Sequence, residues 1–144
     1  MVIGGEWTLF DDGVMRPIIH GNIFLGEDSW LRVPFLVDTG ADKTVFNAST
    51  LFKLNLPYLE TEIEIGGVGG LANSVTVETK IQFTKENGKQ VVFRGKYVAL
   101  TELEALDFCV LGHDILENFA IIVDQPNKIV VLVTQNHYYE IKSR

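Results

Sequence analysis

Apolar and polar positions alternate with a period of two through long parts of this chain, and that period sets the first expectation. Within residues 60–65, Glu62, Ile63, Glu64 and Ile65 alternate, and Val75, Val77, Thr79 and Ile81 keep the same spacing further on. A two-residue period places one face of a strand inward and the other in water. A hairpin is expected where the runs 75–83 and 91–99 flank Asn87-Gly88, a strong local turn pair. Earlier, 7–10 and 14–25 flank a turn at Asp11, Asp12 and Gly13, with Pro17 tolerable at an edge or bulge. A turn at 26–29 leads into a strand over 30–37, and late strands at 120–123 and 129–133 are joined by Gln125-Pro126-Asn127. Only 47–54 and the DILENF segment after Gly112 suit helical turns. The pattern predicts an all-β protein, with many short strands and glycine turns closing into a barrel-like sheet. No repeat or linker divides residues 1–144, so one domain is expected.

Chemistry concentrates in three segments. In LVDTGADKTVF, 36–46, an Asp-Thr-Gly-Ala turn directly follows the apolar residues Phe35, Leu36 and Val37. Gly40 lets the chain turn sharply and present Asp38 at the strand's end, where amides around Gly40 and Ala41 can donate to its carboxylate. Alone, such a turn is also what an ordinary Asp-Gly loop would give. The second segment, EIGGVGGLA over 64–72, has four glycines around Val68 and suits a hairpin tip that bends and opens. The third, FCVLGHDILENF over 108–119, is an apolar run closed by Gly112.

In this order the three segments resemble the retropepsin family of aspartic proteases. Asp38 to Thr44 match the family's DTGAD-x-T pattern, Ile65 to Gly70 its glycine-rich flap, and Val110, Leu111 and Gly112 the apolar-apolar-Gly element that braces the catalytic turn. The resemblance implies a closed retropepsin-like acid protease β-barrel with a flap hairpin and one short C-terminal helix. It gives Asp38, Thr39 and Gly40 the catalytic role, with Thr39 bonding across a twofold axis. Pocket and substrate contacts would come from Ala41, Asp42, Val45, Ile65, Gly66, Gly67, Val68, Gly69, Gly70 and Leu111, each of the apolar ones having plain core packing as its alternative. Gly112 and His113 would form the brace. Many members carry Arg where this chain has His113, and there it pairs with the acid equivalent to Asp42. Two readings of His113 therefore stand: a pH-sensitive brace to Asp42, or a surface residue that merely starts a helix.

A single Asp-Thr-Gly has a mechanistic consequence. Aspartic protease chemistry needs one carboxylate ionised to activate water and a second protonated to donate to the scissile carbonyl oxygen. With one such Asp per chain, the second must come from another copy, so a homodimer with Asp38 of each subunit at a twofold axis is expected. The expected activity is hydrolysis of extended polypeptides by a water, without metal or organic cofactor. A retropepsin-like module that dimerises or binds peptide without cutting is the competing reading.

Other chemistries fit less well. Gly67-Val68-Gly69-Gly70-Leu71-Ala72 satisfies a dinucleotide G-x-G-x-x-A pattern, but β-patterned residues follow where a helix must hold the pyrophosphate. A P-loop ending is absent, and His20, His113 and His137 lack metal-ligand spacing. A Cys109–His113 nucleophile pair has no third group. The chain's 144 residues are 47% hydrophobic, which argues against disorder, and its net charge of −7 comes without a run of basic residues. Nucleic acid is therefore not an expected partner. The one cysteine, Cys109, excludes an internal disulfide, and no signal-like or membrane-spanning apolar stretch occurs, so a cytoplasmic protein is expected unless the sequence is an excised piece of a longer one.

Overall fold

The computed structural model describes residues 1–67, 70–135 and 140–142, with the backbone alone over 59–67 and 70–72. In chain order the elements are β1 (Val2–Gly4), β2 (Glu6–Leu9), β3 (Met15–Gly26), β4 (Ser29–Val37), β5 (Val45–Phe46), α1 (Ala48–Leu54), β6 (Tyr58–Gly67), β7 (Gly70–Thr84), β8 (Gln90–Leu100), β9 (Cys109–Leu111), α2 (His113–Leu116), β10 (Ala120–Asp124) and β11 (Ile129–Val133). The architecture is mostly β, as the alternation requires.

Two sheets result. The larger runs β2-β3-β4-β9-β5-β8-β7-β6, and β3 pairs β7 as well, through Asn22↔Gln82 and Ile23↔Ile81, so the sheet bends back on itself. The smaller, β1-β11-β10, joins the chain's beginning to its end. Between them Gly5 donates its N–H to the Val130 carbonyl at 2.9 Å. A Cβ there would stand 2.3 Å from the Ile18 carbonyl oxygen, so only glycine lets the two sheets meet so closely.

The long hairpin β7–β8 pairs from Ser74↔Leu100 to Thr84↔Gln90. Its turn holds Gly88 at φ +83, which glycine adopts without penalty. Inward positions Val77, Ile81 and Phe83 are buried, and they meet Ile19, Ile23, Phe35 and Phe46 in the core. Full burial of each such side chain is worth about 1.5–3 kcal/mol. Thr79 occupies an inward position too, and its hydroxyl donates to the Phe24 carbonyl at 2.8 Å, which offsets the cost of burying it. Gly21 also faces inward, where a Cβ would press on Phe83, Ile81 and Phe35. Pro17 lies opposite Trp7, one residue before β3 begins pairing β4 at Ile18, so its missing N–H interrupts no ladder on that side.

Helix α1 begins where Asn47 Oδ1 accepts the Thr50 N–H at 3.1 Å, and it ends at Asn55 in the left-handed region. It buries Ala48, Thr50, Leu51 and Leu54. The hairpin β6–β7 is paired at its far end by Ile65↔Ala72, Gly66↔Leu71 and Gly67↔Gly70. Its expected tip, Val68 and Gly69, lies outside the described residues.

Candidate active site

Two strand ends place Asp38. Strand β4 runs parallel to β9 through Phe35↔Cys109, Leu36↔Val110 and Val37↔Leu111, and the Asp38 N–H extends that ladder to the Leu111 carbonyl at 3.2 Å. Beyond it the chain turns: the Ala41 N–H donates to the Asp38 carbonyl at 3.2 Å and the Gly40 N–H to Asp38 Oδ1 at 3.0 Å. The carboxylate is thus oriented by an amide and stays half-buried at the surface, with Thr39 and Gly40 exposed beside it.

The loop from Asp38 to Thr44 is held from the other side by the start of α2. The His113 N–H donates to the Ala41 carbonyl at 2.8 Å and the Asp114 N–H to the Asp42 carbonyl at 3.2 Å. Asp114 Oδ1 accepts both the Thr44 N–H, at 2.9 Å, and the Thr44 hydroxyl, at 2.7 Å. That hydroxyl in turn accepts the Gly112 N–H at 3.1 Å. Gly112 is buried directly against the Lys43 backbone.

Of the two readings of His113, the structure shows it at the exposed start of α2 and not paired to Asp42, though it still touches the turn. Its Nε2 lies 2.5 Å from the Thr39 carbonyl oxygen, so the ring braces the turn through a backbone oxygen. No His113–Asp42 ion pair occurs among the described residues. The ring nitrogen is instead directed at the Thr39 carbonyl, on the other side of the turn from Asp42 in sequence. The carboxylate that does the bracing is Asp114, which the sequence reading missed. Its signal was weak, an acidic residue two positions after Gly112, and its partner Thr44 lies 70 residues away.

The pocket residues divide. Ala41 is half-buried and Asp42 exposed, both in the Asp38 loop. Leu111 is completely buried and Val45 keeps 8% exposure, so in this chain both pack into the core rather than lining a pocket. Ile65, Gly66, Gly67 and Gly70 lie at the paired end of the β6–β7 hairpin.

Cys109 is buried, its thiol 3.2 Å from Thr50 Oγ1, and burial raises its pKa, which makes it a poor nucleophile. The described residues contain no cluster of His, Cys, Asp or Glu able to hold a metal. A cleft of about 680 Å³ lies between the β2–β3 hairpin and α1, with Phe10, Arg16, Lys53 and Phe108 in its walls, and Asp38 is not part of it.

Removing the Thr44 hydroxyl tests the brace. Thr44→Val keeps the shape but leaves the buried Gly112 N–H without its acceptor, at a cost of about 1–3 kcal/mol. A fall in melting temperature of several degrees is expected. A melting temperature unchanged within a degree would show that the brace carries no load.

A family model described as gag-polyprotein putative aspartyl protease matches residues 31–118, more than half of the chain and all of this site. The chain belongs to that family, a retropepsin-like group of aspartic proteases. Among solved structures it is similar to EIAV protease complexed with the inhibitor HBY-793, at 23% identity and a TM-score of 0.51 over 76% of this chain and 92% of that one. It is also similar to a retropepsin-like aspartic protease from Rickettsia conorii, at 22% identity and a TM-score of 0.50 over 92% of this chain and 88% of that one. These likenesses establish a shared fold. No curated protein matches the chain.

Proposed function

We propose that the protein is a homodimeric aspartic endopeptidase in which Asp38 of two copies together activate a water against an extended peptide. The observation that carries this reading is the Asp38 carboxylate itself: oriented by the Gly40 N–H at the end of paired strands and half-buried at the surface, beside the exposed Thr39 and Gly40. That is the arrangement of half a site. Brought face to face across a twofold axis, two such carboxylates would share one proton and titrate as a unit, giving a bell-shaped pH–rate profile. The ionised member takes a proton from water as it attacks the scissile carbonyl carbon, and the protonated member donates to the carbonyl oxygen. The pairing of β3 with β7 supports reading the large sheet as a closed barrel, and the pairing of β6 with β7 supports reading that hairpin as the flap.

Strand β10 supports the dimer. It is the edge of the small sheet, and Ile122 and Val123 on it are 44% and 46% exposed. An exposed apolar edge strand is a template for pairing with a second copy. Ile122→Lys with Val123→Lys should raise the dimer dissociation constant at least about tenfold, since losing even part of two buried aliphatic contacts is worth more than 1.4 kcal/mol. Sedimentation across a concentration series checks this, and an unchanged dissociation constant would remove β10 from the interface.

The function is tested by exposing a peptide library to the purified protein from pH 4 to 7, with and without a statine inhibitor. Cleavage that the inhibitor stops supports the endopeptidase. A stable dimer that cuts nothing at any of these pH values would leave only binding or assembly.

A further inference from the structure

We propose that the outer face of the sheet formed by β4, β3, β7 and β8 docks acidic polypeptide segments. The inward residues of β7 are Val75, Val77, Ile81 and Phe83, so Glu78, Lys80 and Gln82 project outward. Registers place Arg94 opposite Lys80 and Lys96 opposite Glu78 on β8, while Arg32 of β4 faces outward beside Asn22 of β3, itself paired to Gln82. One contiguous face therefore carries Arg32, Lys80, Arg94 and Lys96 against Glu78 and, at its β2 margin, Glu6, which lies 3.8 Å from His20 Nδ1 and shares a hollow with Arg32, in a chain whose net charge is −7.

These cations are unspent. Among the described residues Arg32, Arg94 and Lys96 are exposed and enter no ion pair, and Lys80 is engaged only with ring faces. The partner is therefore anionic, and the details select its class. Lys80 Nζ sits 4.3 Å from the Phe24 ring centre and 5.6 Å from that of Trp30, and the two rings pack on each other at 5.0 Å. Ring faces already covered in this way are poor platforms for stacking bases. Of the exposed large apolar side chains among the described residues, only Val92 belongs to this face, which gives a membrane little to bury. An extended acidic peptide fits better. Its side chains on one face recur about every 6.8 Å, the separation of Arg94 and Lys96 two residues apart on a strand, and guanidinium groups bind carboxylates through paired hydrogen bonds.

The proposal does not rest on the peptidase reading, and its test is run on the Asp38→Asn chain so that no probe is cut. Fluorescence anisotropy would follow a fluorescein-labelled Glu-Ser repeat peptide at about 50 and about 300 mM NaCl, where screening differs strongly. Binding at the lower salt is expected, weakened at least about tenfold by the higher salt and by Arg94→Glu with Lys96→Glu. Lys53→Glu, a charge change away from this face, should leave it unchanged. Arg94→Gln with Lys96→Gln provides a milder pair whose folding is checked by circular dichroism. Equal affinity in parent and face variants overturns the proposal. So does tighter binding of labelled oligouridylate that Trp30→Ala removes, or sedimentation with phosphatidylserine vesicles while the Glu-Ser peptide stays free.

Discussion

Asp38→Asn should reduce peptide cleavage about 1000-fold or more while leaving the chain folded and dimeric. The loss follows from removing the group that takes the proton from water, since a positioned acid or base is typically worth 10²–10⁴-fold. The fold should survive because the amide oxygen of Asn can still accept the Gly40 N–H that orients the native Oδ1. The half-buried position adds no cavity, and the Asp38 N–H to Leu111 bond is a backbone contact that the substitution does not touch. Asp38→Ala would remove the acceptor as well and so mix chemistry with loop geometry. The comparison of interest is therefore Asn against wild type, with turnover of a cleaved library peptide and sedimentation measured on the same preparations. Residual turnover above about a tenth of wild type would place the chemistry elsewhere.

Gly112→Ala should be among the most damaging small changes to stability. Gly112 has extended backbone, φ −105 and ψ −175, so any residue could adopt its conformation; the constraint is space. A Cβ there would lie 2.4 Å from the Lys43 carbonyl carbon, 2.5 Å from its oxygen and 2.9 Å from its Cα. All three are backbone atoms, so relief requires moving the Asp38–Thr44 loop or the corner between β9 and α2. Overpacking of this kind costs about 1–3 kcal/mol and more when the backbone must shift. For a chain of this size roughly 3 kcal/mol lowers Tm by about 6–12 °C. Because the loop that moves carries Asp38, cleavage should fall further than the folded fraction does. A Tm within about 2 °C of wild type would show that the corner relaxes freely. Both results bear on one idea, that the strand end, the turn and the start of α2 act as a unit.

The two substitutions also mark the division between what was legible in the chain and what was not. The strands were legible because alternation is a local property: Val75, Val77, Thr79 and Ile81 declare an inward face wherever the strand is placed, and Asn87-Gly88 declares the turn. Asp38 was legible because a carboxylate after an apolar strand and before a glycine is local too. Leu111 stood open between pocket and core because an apolar residue beside a glycine looks the same whether it lines a cleft or fills a core, and its complete burial places it in the core. Only the residues packed over its face of the sheet distinguish the two.

His113 and Asp114 show the same limit at closer range. Both were present in the segment read as a brace, yet which of them would reach which partner depended on the angle at which α2 meets the Asp38 loop. The sequence by itself determined the β-rich class and the turn that presents Asp38, because these follow from periodicity and backbone freedom, and the chemistry of one carboxylate is what motivates the proposal of a second copy. Only the tertiary structure decided that Asp114 holds Thr44, that His113 meets the Thr39 carbonyl, and that Arg32, Lys80, Arg94 and Lys96 share one face. Contacts between residues far apart in the chain are set by strand order and register, and no local pattern encodes those.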